Sequence, residues 1–205
     1  MTTSDIEKFF KSSDFSKIVE KAVADTLERR LSEMQSRIKQ IEEKNQELEK
    51  ENQRMKSKFN DLEQYGRRMN LRVYGINEAG KKPLDERHLE GAVVKILNEK
   101  MGMDITNKDL QACHYTDKKK VGVIIRFVSR KNRDQIFFSK RKLRGTKISI
   151  TEDLTRENYK LLKHAQQEFD KKNIWTINGA IRIKIKDVIY KVKNVDDLNE
   201  MITLK

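Results

Sequence analysis

The chain has one cysteine and one proline in 205 residues, and each scarcity closes a class of reading. Cys113 alone rules out an internal disulfide and a multi-cysteine zinc site, and it fits a reducing compartment. Pro83 alone leaves no room for proline-rich linkers. No apolar run approaches the roughly 18 residues of a membrane-spanning helix. Met1 to Phe10 has neither the basic start nor the apolar stretch of a secretory signal. The expectation is an intracellular protein without a membrane span.

Catalytic chemistry is also thinly represented. His88, His114 and His164 are scattered, and the Cys113-His114 pair has no further ligands at metal-binding spacing. No glycine-rich phosphate loop appears. The acidic pairs Asp85-Glu86, Glu152-Asp153 and Asp196-Asp197 sit where helix starts favour carboxylates. These residues predict no enzyme, no cofactor and no metal.

Positive charge is plentiful and unevenly placed. Lys and Arg number 45 against 32 Asp and Glu. Residues 1–66 carry 13 basic and 14 acidic residues, whereas residues 67–205 carry 32 and 18, a net of +14. So basic a region attracts polyanions, with nucleic acid the first candidate and an anionic membrane the second. The competing readings are a solvated Lys-rich surface and a scaffold whose basic domains grip acidic proteins.

The near-neutral part is organised by a seam. Leu27, Leu31, Met34, Ile38, Ile41, Leu48, Met55, Phe59 and Leu62 recur in alternating four- and three-residue steps, the period of a coiled coil. Asn45 and Asn52 fill the two gaps at a positions. The flanking pairs Arg37 with Glu42, Lys44 with Glu49, Glu51 with Lys56 and Lys58 with Glu63 are opposite in sign for a parallel, in-register homo-oligomer. Asn at a favours dimers, while Ile and Leu elsewhere in the seam leave a trimer open. Residues 23–66 are thus the oligomerisation segment. Residues 1–22, with Ile6, Phe9, Phe10, Phe15, Ile18 and Val19 interrupted at Ser12, Ser13 and Asp14, read as a short amphipathic lead-in.

Beyond Gly66 the periods alternate between strand and helix. Leu71–Ile76 reads as a strand, Asn77–Pro83 as a loop and Leu84–Met101 as a helix. Lys108–Tyr115 and Val121–Val128 read as strands, a helix capped by Ser129 reaches Leu143, and Lys147–Thr151 is a further strand. This order is the split βαβ of ferredoxin-like domains, to which RNA-recognition modules belong, over residues 67–153. Leu71, Val73, Val123, Ile125, Phe127, Ile148 and Ile150 should face the helices, leaving Arg72, Tyr74, Gly122, Ile124, Arg126, Lys147 and Ser149 on the open face. Tyr74 offers a stacking ring, but Gly122 and Ile124 stand where RNA-recognition sheets carry aromatics. Phosphate contacts from Arg67, Arg68, Arg72, Arg126, Lys147 and the Lys118-Lys119-Lys120 turn are therefore expected, with little sequence preference. On the basic helix, Lys140, Arg141, Lys142 and Arg144 rank ahead of Arg130 to Arg133, because they adjoin the sheet edge.

Residues 154–205 predict a small α+β domain. Thr155 caps a helix with Tyr159, Leu162, Ala165 and Phe169 on one face. Ile174–Ile177, Asn178-Gly179 and Ala180–Ile185 form a hairpin signal, followed by a strand at Val188–Val192 and a helix at Val195–Ile202. Arg182 and Lys184 alternate with isoleucines, so one face is cationic, and Lys191 and Lys193 extend it. Trp175 reads as a core residue, with base stacking as the alternative.

The join Leu62 to Ile76, L-E-Q-Y-G-R-R-M-N-L-R-V-Y-G-I, resembles the corresponding junction in the first-reading-frame proteins of non-LTR (long interspersed element) retrotransposons. V-I-I-R-F at Val123–Phe127 and the run Lys140–Thr155 add to the likeness. The pattern from Leu161 through Trp175–Gly179 to Asp197-Leu198 is similar to the baculovirus few-polyhedra (FP) protein group. The resemblance implies a homo-oligomer, a trimer in the retrotransposon group, that coats single-stranded RNA or DNA and acts as a nucleic-acid chaperone. Such particles would be cytoplasmic or nuclear ribonucleoproteins. Under the FP likeness the role is instead viral structural maturation. The matching positions are Arg67, Arg68, Arg126 and Lys140 to Arg144.

Overall fold

Helix α1 (Ser13–Gly66) is unbroken in the computed structural model of the chain, which describes residues 3, 10, 13–77 and 83–204. Ile6, Phe9 and Ser12 of the expected lead-in, and residues 78–82 of the expected loop, lie outside the described residues. Phe15, Ile18 and Val19 belong to α1, so the helix starts before the expected boundary at residue 23. Ser13 and Asp14 were expected to interrupt it. They stand instead in its first turn, where polar and acidic groups favour the free backbone amides. The seam is solvent-facing in the single chain, from 51% exposed at Leu48 to 71% at Leu62.

The chain divides into two compact units, Met1–Ser57 and Lys58–Lys205. Among its described residues the first is helical throughout. The second comprises the last turns of α1 and two antiparallel sheets, each with its own core, so the architecture is α+β.

The first sheet is built from β1 (Asn70–Tyr74), β2 (Leu110–Tyr115), β3 (Gly122–Phe127) and β4 (Ser149–Glu152), in the order β2-β3-β1-β4. Helices α2 (Glu86–Met101) and α3 (Arg130–Ser139) complete a β-α-β-β-α-β sequence. Local chemistry sets their starts. The Asp85 side chain accepts from the Arg87 amide and Ser129 from the Asn132 amide, each satisfying a donor that the helix cannot. Alternation then sorts the sheet as the sequence predicts. Leu71, Val73, Val123, Ile125, Phe127 and Ile150 are buried with Leu89, Val93, Leu97, Ile136 and Phe137, and Ile148 is half-buried against them. Burying this many large side chains, at about 1.5–3 kcal/mol each, is what holds the layer together.

The first strand ends at Tyr74 rather than Ile76 and the second starts at Leu110 rather than Lys108, and two further differences bear on the basic residues. Lys147 precedes β4, because β1 ends at Tyr74 and its ladder runs from the Tyr74–Ser149 pair to Leu71–Glu152, leaving no strand opposite Lys147. The basic helix ends at Ser139 and continues to Leu143 as a 3-10 turn.

The second layer contains α4 (Arg156–Glu168), β5 (Ile174–Ile177), β6 (Ala180–Ile185), β7 (Val188–Val192) and α5 (Val195–Thr203), with sheet order β5-β6-β7. Asn178 and Gly179 have φ of 55° and 76°, the two positive angles of the expected hairpin turn. Leu161, Ala165 and Phe169 meet Ile174, Ile181, Ile183, Val192 and Leu198 in the core. The apolar face of α4 is rotated from the expected one. Leu161 is buried while Tyr159 is 52% exposed, because the branched aliphatic side chain fits the isoleucine layer and leaves the phenol outside.

Candidate nucleic-acid interface

A polar joint connects the end of α1 to both sheet layers. Gln64, buried on the side of α1 away from Phe59 and Leu62, donates from Nε2 to the Asp153 carbonyl at 3.0 Å. Its Oε1 accepts from the Thr155 amide at 2.9 Å and from Asn158 Nδ2 at 3.1 Å. Asn60, one turn earlier, accepts from the Thr155 hydroxyl at 2.7 Å and donates to Asn158 Oδ1 at 2.9 Å. Two amide side chains thus satisfy the start of α4 while the apolar seam on the same helix stays free. A buried polar group held by this many partners fixes an orientation, since losing any one leaves another unpaired.

Several cations expected to meet phosphate are engaged at this joint. Arg67 binds Glu63 at 2.7 Å and Asp153 at 3.2 Å, and Arg72 binds Asp153 at 2.7 Å. Asp153, 2% exposed, is therefore the anchor of two guanidinium groups and also accepts from Asn70 Nδ2. Arg126 donates to Gln111 Oε1, the Gly66 carbonyl and Asn70 Oδ1, tying the sheet to the end of α1. Lys142 donates to the Met101 carbonyl at 2.7 Å. Glu152 and Asp153, read from sequence as acids near a helix start, are instead buried partners of arginines.

The remaining expected site residues are scattered or free. Lys118, Lys119, Arg141, Arg144 and Lys147 are exposed, and Lys120 lies 5.1 Å from the Tyr115 ring centroid. None of these six lines the cleft described next. Arg68 stacks on Tyr65 with its guanidinium carbon 3.7 Å from the ring centroid. Lys184 is paired with Asp187 at 2.7 Å.

A cleft of about 690 Å³ lies between the first sheet and the α4–β5 side of the second layer. Its aromatic walls are Tyr74, Tyr159 and Trp175, and its cations are Arg72, Lys140 and Lys163. Tyr74 reaches it because β3 carries glycine opposite. A Cβ on Gly122 would come within 2.7 Å of the Tyr74 ring, so the ring lies over the bare backbone. Lys140 sits 3.9 Å from the Phe137 ring centroid, and burial pushes its ammonium pKa below the usual lysine value. Burial disfavours the charged form, and the Glu152 carboxylate in the same lining partly offsets that.

Trp175 is not a core residue. It stands half-buried on the outer face of β5, in register with Arg182 on β6, which is in register with Lys191 on β7. The core positions in that sheet are taken by the isoleucines, and their alternation puts Trp175 on the other side. The sequence puts Tyr159 on the apolar face of its helix and gives no signal for Lys163. Their i, i+4 spacing on α4 places the Lys163 ammonium 5.5 Å from the Tyr159 centroid, a cation and an aromatic ring side by side.

Other chemistry is sparse among the described residues. No group of three or more His, Cys, Asp or Glu is arranged to hold a metal ion. Burial, with the Glu90 carboxylate nearby, pushes the Cys113 thiol up to about 12 and so keeps it protonated. No protein-family model and no curated protein sequence matches the chain.

Proposed function

We propose that this chain is a homo-oligomeric protein that binds single-stranded RNA or DNA with little sequence preference, coating it in a ribonucleoprotein particle and acting as a nucleic-acid chaperone. The cleft carries the reading. Three aromatic rings line one groove with Lys140 and Lys163, while the third cation, Arg72, is paired with Asp153; rings beside cations are the combination that stacks unpaired bases and balances their phosphates. The first sheet layer serves as an RNA-recognition-like module in which Tyr74 supplies its stacking ring. The exposed seam of α1 supports self-association through a parallel coiled coil, because nine apolar side chains in one heptad stripe need a partner surface. Copies joined in this way multiply weak individual contacts into tight binding.

Filter binding of single-stranded RNA by the full chain, repeated across a salt series, tests this. The expected result is binding that weakens linearly on a log–log plot, by about 0.7 per phosphate contacted. Trp175→Ala should weaken binding alike for different sequences, since stacking is worth roughly 1–3 kcal/mol per base whatever the base. Absence of binding at low salt would overturn the reading.

A further inference from the structure

The cleft is one of two cationic hollows beside the polar joint. The second, of about 410 Å³, lies between the last turn of α1, the Asn178-Gly179 turn and β7. Arg68, Arg130, Lys191 and Lys193 line it, against the single carboxylate of Asp61. The cations come from three separate parts of the chain, brought together by the docking of Gln64 against Gly179 and Asn158 and by Glu152, which bridges α3 and the Gly179 amide. Two of them are held in place. Arg68 stacks on Tyr65, and Arg130 donates to Asn178 Oδ1 at 2.7 Å and pairs with Asp134 at 3.3 Å. Lys191 and Lys193 are exposed and supply charge opposite.

A physical track links this hollow to the cleft. Trp175, which lines the cleft, is in register with Arg182, and Arg182 with Lys191, which lines the hollow. Crossing the sheet along that row spans two strand spacings, roughly 10 Å. Arg182 stands at the midpoint of that row, half-buried, and adds its guanidinium charge between the two cavities.

We propose that the hollow of Arg68, Arg130, Lys191 and Lys193 is a second phosphodiester site, which holds the same single strand after it leaves the cleft and crosses Trp175 and Arg182. The proposal rests on the reading of the cleft as a single-strand groove. It makes the binding footprint longer than the cleft and gives the outer face of the β5-β6-β7 sheet a role as the bridge. Continuity through the Trp175–Arg182–Lys191 row is what favours a nucleic-acid strand over an acidic peptide.

The test compares the full chain with its Lys191→Ala/Lys193→Ala variant, using a short oligonucleotide that fills only the cleft and one several times as long. Both lysines are exposed, so the fold should survive, as a circular-dichroism melt would verify. The expected result is equal affinity for the short strand and about tenfold weaker affinity for the long strand at physiological salt. The salt slope for the long strand should become shallower by about 1.4, the loss of two phosphate contacts. An unchanged slope and affinity for the long strand would overturn the second site while leaving the cleft reading intact. Failure of the unaltered chain to bind either strand would overturn the cleft reading and the proposal with it. Displacement of an acidic peptide from the hollow, with long-strand binding unaffected, would assign the site to protein instead.

Discussion

Arg133 donates to Glu152 at 2.7 Å with both side chains at most 2% exposed, so a full ion pair is sealed under α3. The other Glu152 oxygen accepts from the Gly179 amide at 3.1 Å. One carboxylate therefore holds α3 of the first layer and the hairpin turn of the second. Removing the Glu152 charge leaves the buried Arg133 with only the half-buried Asp134, 2.9 Å away, so the cost falls at the lower end of the about 3–5 kcal/mol of a broken buried pair. Glu152→Gln should lower the thermal midpoint of the second unit sharply in a circular-dichroism melt. A midpoint within a degree or so of the parent would show that the pair contributes little.

Gly179 is a tightly constrained turn position. Its φ of 76° is left-handed, and a Cβ there would lie 2.3 Å from the Gln64 side chain. Gly179→Ala should cost more than the roughly 1 kcal/mol of a left-handed alanine, because Gln64 must also be displaced from Asp153 and Thr155. A useful control is Gly179→Ala with Gln64→Ala, which removes the clash but keeps the backbone strain. Recovery of part of the lost stability in the pair is expected. Strictly additive losses would mean that Gln64 and Gly179 are not coupled.

The seam predicts its own failure mode. Ile38 and Ile41 are 53% and 59% exposed in the single chain. Ile38→Glu with Ile41→Glu should convert the proposed oligomer to monomer in sedimentation equilibrium while leaving the two sheet layers folded. A parent chain that is already monomeric at high concentration would refute the coiled coil. Glu63, the acid of the fourth expected interchain pair, binds Arg67 of its own helix at 2.7 Å, so charge reversal at Lys58 should matter less than at Arg37, Lys44 or Glu51.

Cys113 gives a pH-dependent readout of unfolding. With its pKa pushed up to about 12 by burial and then by Glu90, the thiol is almost wholly protonated in the folded chain near pH 8. An unfolded cysteine ionises near 8.5 and reacts readily. Folding thus favours the protonated form, so this group's contribution to stability is present below the unfolded pKa and falls away as pH rises from about 8.5 towards 12. Alkylation by iodoacetamide at pH 8 should be slow in buffer and fast in denaturant. Equal rates would show that the thiol is open in the folded state.

Period and local caps made much of the fold legible in advance. The Ile174–Val192 strands with their Asn178-Gly179 turn follow from alternation and from a turn that requires positive φ. The buried face of the first sheet follows from alternation alone, and Ser129 and Thr155 announce their helices. The site was less legible. A charged residue looks the same in sequence whether it meets solvent, phosphate or a buried carboxylate, so Arg67, Arg72 and Arg126 read as free cations although Asp153, Gln111 and Gly66 hold them. Tyr159 was assigned to the core because helical spacing gives a face but not its centre.

By itself the sequence determined the periodicities: a heptad stripe, two alternating sheets, their turns and caps, and a net charge of +14 confined to residues 67–205. Those are local or additive properties, fixed by near neighbours and composition. Only the tertiary structure decided which cations are spent on Asp153 and Glu152, and which of the rest converge with Tyr74, Tyr159 and Trp175 on one cleft. That choice depends on contacts between residues some 80 to 100 positions apart, as in Arg72 with Asp153 and Asn60 with Asn158, and no local rule in the chain encodes them.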